Sequence, residues 1–108
     1  MASHKSEQKV LLDLNCPEFQ DSFFILEKAE RHAVVETFKK IRQLTWDQVC
    51  RDKGLRWEKI TSVRPPAGID VVYSLRISQS RRATAIRVGN YMQLTCIAPD
   101  HDSTYGKK

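Results

Sequence analysis

Four arginines lie close together in the last third of the sequence, on or between two segments in which apolar and polar residues alternate as they do in strands. They are Arg76, Arg81, Arg82 and Arg87. Clustered arginines repel one another, so such a cluster is most stable where an anion lies between the guanidinium groups. Because the guanidinium fork matches phosphate oxygens, the spacing favours a phosphate-binding surface. The alternative is a solvated charged face.

A polar segment, residues 100–105, follows the last of these strand-like segments. Its histidine, His101, changes charge near neutral pH and is suited to proton transfer. A lone histidine is more commonly a surface residue, and that alternative stays open. A metal site built from Asp100, His101 and Asp102 is disfavoured, because adjacent side chains rarely converge on one ion. We therefore expect neither a metal nor a small-molecule cofactor.

Other well-known sources of chemistry are missing from the sequence. It contains no glycine-rich phosphate loop, no HExxH motif and no serine nucleophile elbow. The three cysteines, Cys16, Cys50 and Cys96, are far apart and form no Cys-x-x-Cys motif. We expect them to be reduced and mostly buried, acting as small apolar residues.

Length and charge restrict the class of protein. The 108 residues suit one domain spanning 1–108, with a flexible polar start at 1–8. The net charge of +5 favours an acidic partner such as nucleic acid. No apolar run approaches the ~20 residues of a membrane span, and the polar N-terminus does not resemble a secretory signal. We therefore expect a cytoplasmic protein without a membrane partner.

The elements that position these residues are predicted from periodicity. Helical spacing extends over 17–44, which is too long for one helix in so small a domain, so we expect a break near Lys28–Arg31. Thr45 and Gln48 form a capping box for a short helix. Gly89 and Asn90 form a two-residue hairpin turn. The predicted strands are residues 9–14, 71–78, 83–88 and 91–98. The order predicts an α+β fold, with helices on one face of a mostly antiparallel four-stranded sheet.

Three short motifs resemble those of the RelE/ParE toxin superfamily, found in bacterial type II toxin–antitoxin systems. They are Tyr73-Ser74-Leu75-Arg76-Ile77, Arg82-Ala83-Thr84-Ala85-Ile86 and the terminal His101-x-x-x-Tyr105. The resemblance covers residues 9–105 and is strongest over 71–105. It implies a helical hairpin packed on a curved sheet. It also implies a cognate antitoxin that covers the active surface.

The resemblance also implies an activity. RelE-like and HigB-like members are mRNA interferases that cleave mRNA without metal, typically in the ribosomal A site, whereas ParE-like members poison DNA gyrase. A histidine and a tyrosine near the end favour the endoribonuclease branch. Asp102 departs from the family, where arginine is usual, and the sequence stops three residues after Tyr105, without the family's C-terminal helix. A gyrase inhibitor and a non-catalytic RNA-binding module remain the alternatives.

Roles follow for individual residues if RNA is cleaved by attack of its 2′-hydroxyl. We expect Arg82 and Arg76 to clamp the phosphate, His101 to act as general acid or base, and Tyr105 to stack on a base or orient the phosphate. The remaining predicted RNA contacts are Arg81, Arg87, Lys53, Arg56 and Lys59. The last three precede or enter a strand where relatives carry catalytic residues. Trp46 and Trp57 are expected to be buried anchors rather than base-stacking groups.

Overall fold

The computed structural model describes residues 8–60, 68, 71–78 and 80–98. Within them the chain forms three helices and five strands. The helices are α1 (Pro17–Phe24), α2 (Lys28–Ile41) and α3 (Trp46–Arg51). The strands are β1 (Leu11–Asp13), β2 (Glu58–Ile60), β3 (Val72–Arg76), β4 (Arg82–Val88) and β5 (Tyr91–Ile97).

The described strands form one sheet in the order β1-β5-β4-β3-β2. β1 runs parallel to β5, and every other neighbouring pair is antiparallel. The predicted α+β class is confirmed, but the sheet has five strands where the sequence predicted four. The additional strand is β2, and only the family resemblance placed a strand near Lys59. No alternating pattern marks β2, because it is three residues long and begins with two exposed charged side chains, Glu58 and Lys59.

The break in the helical region is confirmed, slightly before its predicted place. Residues 25–27 separate α1 from α2, and the backbone N–H of Glu27 donates to the Glu30 carboxylate at 3.4 Å. The predicted capping box of α3 is also confirmed, because Gln48 N donates to Thr45 Oγ1 at 3.2 Å and Thr45 N donates to Gln48 Oε1 at 2.9 Å. These hydrogen bonds satisfy N–H groups that a helix start leaves unpaired.

The two faces of the sheet differ in what covers them. The helix face carries buried Leu75, Ala83, Ala85, Met92 and Leu94, which pack with buried residues of all three described helices. The opposite face is here called the arginine face. From β1 to β2, its described side chains include Leu11, Asp13, Tyr91, Gln93, Thr84, Val88, Arg82, Ser74, Arg76 and Glu58. Strand alternation thus places the main core on one face and most of the charged strand residues on the other.

The expectations for the tryptophans and for the cysteines have different outcomes. Trp46 is buried, so its anchoring role is confirmed, whereas Trp57 is only half-buried. The Trp57 ring lies 5.3 Å from that of Trp46 and stacks on Tyr73 at 4.5 Å. The expectation of mostly buried cysteines is wrong for Cys50, which is exposed, whereas Cys16 and Cys96 are half-buried. No helix in the described part of the chain is long and apolar enough to cross a membrane.

Candidate nucleic-acid interface

Three strands bring an arginine cluster together on the arginine face. Arg82 and Arg76 are direct partners across β4 and β3, and Ser74 is the direct partner of Glu58 across β3 and β2. Cross-strand partners point to the same side of a sheet. The Arg82 guanidinium donates to Ser74 Oγ at 2.7 Å and lies 3.8 Å from the Glu58 carboxylate. The register therefore joins cations and a carboxylate in one place.

Arg56 completes this cluster from the loop before β2. Its guanidinium lies 3.8 Å from the second carboxylate oxygen of Glu58, and its backbone carbonyl accepts from Arg82 at 3.4 Å. The arginine cluster is henceforth Arg56, Arg76 and Arg82 together with Glu58. Three cations face one anion, which leaves an excess of positive charge on this part of the face. A phosphate diester would balance that excess and match the guanidinium forks.

The backbone of Arg56 has a left-handed conformation, with φ of 51°. Residues with a side chain adopt this region at a cost of about 1–2 kcal/mol. The surrounding bonds explain how it is held: Arg76 N donates to Leu55 O at 2.6 Å, and Leu55 N donates to Asp52 Oδ1 at 2.9 Å. The loop is thus fixed to β3 on one side and to a carboxylate on the other.

Asp52 is the anchor of this loop. Its Oδ1 also accepts from Lys40 Nζ at 3.1 Å, which connects the loop to α2. Desolvation, the largest single influence, raises the Asp52 pKa, but hydrogen bonds from Leu55, Lys40 and Gly54 and the charge of Lys40 together leave the pKa below its ordinary value. The carboxylate therefore stabilises the fold only while it is ionised.

We expect Asp52→Asn to lower the free energy of unfolding by about 1 kcal/mol at neutral pH, since a charged acceptor is replaced by a neutral one. The folded-state pKa of Asp52 lies below its unfolded value, so its contribution is complete above an unfolded pKa of about 3.9. The contribution is lost as the pH falls through the lower folded-state pKa. Urea unfolding at pH 7 and at about pH 2 should show the difference shrinking in acid. Asp47→Asn, at an exposed ion pair with Arg51, is the control and should have little effect. A difference that persists in acid would contradict this role.

The structure does not place all the predicted RNA contacts in the cluster. Arg81 pairs with Glu30 of α2 at 2.9 Å and is mostly buried. Arg87 lies on the helix face, with its guanidinium 4.3 Å from the centre of the Trp46 ring. These contacts correct the expectation that all four arginines share one surface. Arg81 joins sheet to helix, and Arg87 makes a cation–π contact.

The two predicted lysine contacts also differ in position. Lys59 pairs with Tyr73 and so points to the helix face, away from the cluster. Lys53 is exposed and lines an open depression of about 390 Å³ together with Arg51, Arg56, Trp57 and Glu58. Lys53 therefore adjoins the arginine cluster, whereas Lys59 does not.

Glu58 is the residue of this site that sequence reasoning missed. It stands between Trp57 and the charged Lys59 in a strand of three residues, so no alternating pattern marked it. The available signal was that Glu58 belongs to the same segment as Arg56, which was predicted to contact RNA. The predicted catalytic residues His101 and Tyr105 lie outside the described residues. Among the residues that are described, no group of three or more His, Cys, Asp or Glu side chains could hold a metal ion.

A second surface feature is an apolar groove beside α1 and α2. It has a volume of about 360 Å³. Its lining residues are Leu14, Phe19, Gln20, Phe23, Phe24, Val35 and Phe38. Phe24 is 69% exposed, which is unusual for so large an apolar side chain. A shallower depression continues from it towards Lys39 and Arg42. Exposed apolar patches with a polar rim are typical of protein-binding surfaces.

Comparison with known proteins finds likeness in structure rather than in sequence. No family model and no curated protein matches the chain. A chain of the archaeal RelE–RelB complex from Pyrococcus horikoshii is similar with a TM-score of 0.56 at 14% identity, over 84% of this chain and 94% of that one. The YoeB dimer from Staphylococcus aureus is similar with a TM-score of 0.52 at 14% identity, over 84% and 97%. At this identity, the likeness concerns the fold.

Proposed function

We propose that the chain, which has the RelE-like toxin fold, is the toxin of a toxin–antitoxin system and cleaves mRNA as an endoribonuclease. The arginine cluster is the observation that carries the proposal. It puts three guanidinium groups and a carboxylate on the sheet face that no described helix covers. We further propose that it acts in the cytoplasm on mRNA held by the ribosome, without a metal ion.

The cluster suits transfer of the phosphate within RNA. The ribose 2′-oxygen attacks the neighbouring phosphorus, the bond from phosphorus to the 5′-oxygen breaks, and a 2′,3′-cyclic phosphate and a 5′-hydroxyl form. Negative charge grows on the phosphate oxygens during this step. Arg82, Arg76 and Arg56 are positioned to stabilise that charge, because their guanidinium groups lie on or beside the same part of the face.

Two protons must move in this reaction. Glu58 is the one carboxylate of the cluster, and it is exposed, with the guanidinium groups of Arg56 and Arg82 each 3.8 Å away, so we assign it the removal of the 2′-hydroxyl proton. We propose that His101 gives a proton to the departing 5′-oxygen and that Tyr105 orients the phosphate. These two assignments rest on the family resemblance.

We expect Glu58→Gln to reduce the cleavage rate by about 10²–10⁴, the range typical of a lost general base. Glutamine keeps the shape of the side chain but does not accept a proton. Single-turnover cleavage, scored by primer extension on a translated mRNA, would measure the loss. Glu36→Gln removes an exposed carboxylate that pairs with Lys39 on α2, and it should cleave normally. Normal cleavage by the Glu58 variant would remove Glu58 from the mechanism.

The function itself is tested by inducing the protein in growing bacteria. We expect growth to arrest and transcripts to be cut so that they carry 5′-hydroxyl ends. A folded variant that carries both His101→Ala and Tyr105→Ala should not arrest growth. If transcripts stay intact and DNA supercoiling changes, the protein is a gyrase inhibitor and not a nuclease. If the protein binds RNA tightly but neither cleaves it nor arrests growth, it is a non-catalytic RNA-binding module.

The partner that we propose is an antitoxin that covers the arginine face, as the resemblance implies, and that also places an apolar helix in the apolar groove. Phe24 and Val35 are exposed there, and burying them would supply the affinity. Lys39 and Arg42 at the rim favour acidic residues on the partner helix. The similar archaeal structure is itself a RelE–RelB complex, which supports a protein partner for this fold.

A further inference from the structure

We propose that Asp13, Tyr91 and Gln93 form a nucleobase-binding site that favours guanine, at the end of the arginine face remote from Arg82. The inference deepens the proposed function, because the base would belong to the RNA whose phosphate the arginine cluster holds. It concerns three residues of β1 and β5 to which neither the motifs nor the arginine cluster assigns a role.

The register fixes the three side chains on one face. Tyr91 pairs with Leu11 of β1 and with Val88 of β4, while Gln93 pairs with Asp13. Tyr91 and Gln93 are two positions apart on β5 and therefore adjacent on the same side. All of them lie on the arginine face, since the residue between them, Met92, is fully buried in the helix-face core.

Tyr91 offers a surface on which a base can stack. Its side chain is 48% exposed, and Val88 beside it is 52% exposed. Among the described residues, nothing forms a hydrogen bond with the Tyr91 hydroxyl. An aromatic ring exposed on the face of a sheet is the usual platform for an unpaired RNA base. The apolar contacts with Leu11 and Val88 would hold the ring in place without covering it.

Asp13 and Gln93 offer the polar groups that distinguish one base from another. Gln93 Nε2 donates to Asp13 Oδ2 at 3.3 Å, and Asn15 N donates to Asp13 Oδ1 at 3.0 Å. No lysine or arginine of the described chain pairs with Asp13, and its partners among the described residues are these two neutral donors. A carboxylate accepts about four hydrogen bonds, which leaves room for two more.

Guanine fits these groups better than the other bases do. Its Watson–Crick edge presents two adjacent donors, N1–H and the N2 amino group, which match the two oxygens of one carboxylate. Its O6 can accept the second N–H of the Gln93 amide. Adenine and cytosine present a single amino donor at this edge, and uracil presents a single ring N–H, so each would leave part of the site unmatched.

The distance between the proposed base-binding site and the arginine cluster suits a single RNA strand that contacts both. Ile86, the direct partner of Gln93, lies four residues along β4 from Arg82, a distance of about 13 Å, and Val88, the direct partner of Tyr91, lies six residues away, about 20 Å. The Thr84 and Thr95 hydroxyls, 2.6 Å apart, provide a polar surface between the two places. RNA held at Arg82 by its phosphate would therefore place a nearby base, rather than the base at the cut, over Tyr91.

The test is a nuclear magnetic resonance titration of the full chain with the 5′-monophosphates of guanosine, adenosine, cytidine and uridine. All four carry the same phosphate, so differences among them report the base. We expect guanosine monophosphate to bind most tightly and to shift the amide signals of residues 11–13 and 91–93. Tyr91→Ala should weaken binding of all four by about tenfold to hundredfold. Asp13→Asn should abolish the preference for guanine while the protein stays folded.

The matched control is Asp21→Asn, an exposed carboxylate of α1, which should keep the preference. Equal affinity for the four nucleotides, or a preference that survives Asp13→Asn, would overturn the inference. So would shifts confined to the arginine cluster. Mapping the sites at which RNA is cut tests the base-binding site separately from the proposed nuclease function. Cleavage by the wild type without guanine preference refutes the base site alone, whereas guanine binding without any cleavage supports the site and refutes the nuclease.

Discussion

Replacing Arg82 by alanine is expected to abolish growth arrest and to reduce mRNA cleavage by about 10²–10³, the usual effect of removing one group that stabilises developing charge. Arg82 is central to the arginine cluster, because its guanidinium contacts Ser74 and the Arg56 carbonyl and faces Glu58. Losing one phosphate contact should also reduce, by about one, the slope of the logarithm of RNA affinity against the logarithm of salt concentration. Primer extension and binding measured across salt concentrations give the two readouts.

The matched control is Arg87→Ala on the same strand. Arg87 contacts Trp46 on the helix face, so its loss should cost about 1 kcal/mol of stability and leave cleavage intact. Arg82→Ala loses two hydrogen bonds made by a partly exposed side chain, a loss of similar size, so the two variants should unfold at similar temperatures. Equal loss of cleavage in both variants would mean that the effect comes from folding rather than from phosphate binding.

Under the proposed function, Phe24→Asp is expected to produce a toxin that the antitoxin no longer restrains. A buried aromatic anchor can contribute 2 kcal/mol or more to a protein interface, and a carboxylate in an apolar groove adds a desolvation penalty. The dissociation constant for the antitoxin should therefore rise by at least about thirtyfold. Phe24 is exposed in the free protein, so the variant should fold, and the groove lies on the helix side, so cleavage should persist. Co-expression with the antitoxin would then fail to prevent growth arrest.

Ile25→Asp provides the control for this experiment. Ile25 is 82% exposed and neighbours Phe24, but it does not line the groove. The same charge at that position should leave antitoxin binding close to wild type. If both variants bind the antitoxin as tightly as the wild type does, the apolar groove is not the docking surface.

Local patterns in the sequence predicted most of the fold. Alternation located β3, β4 and β5, and the two-residue turn at Gly89 and Asn90 joins β4 to β5 as expected. Gly89 has φ of 61°, a conformation that glycine adopts without strain. These elements are set by neighbours in the chain, which is why a single sequence reveals them.

The candidate site was only partly predictable. Alternation alone separates Arg82 from Arg87, because positions five apart on a strand point to opposite faces, and that signal was available. The pairing of Arg81 with Glu30 joins residues 51 positions apart and could not be derived from local pattern. Glu58 and Arg56 enter the cluster through β2, whose position depends on pairing with β3. Long-range pairing therefore decides which charged residues meet.

The strained backbone at Arg56 has a consequence for how this protein can change. Glycine is the substitution that relieves a left-handed conformation most fully, and it would stabilise the fold by about 1 kcal/mol. It would also remove a guanidinium group from the arginine cluster. Under the proposed function, stability to heat and toxicity therefore place opposite demands on residue 56. A population selected for heat resistance alone should repeatedly acquire glycine at position 56 and lose potency, whereas one that must keep its toxin effective should retain the strained arginine.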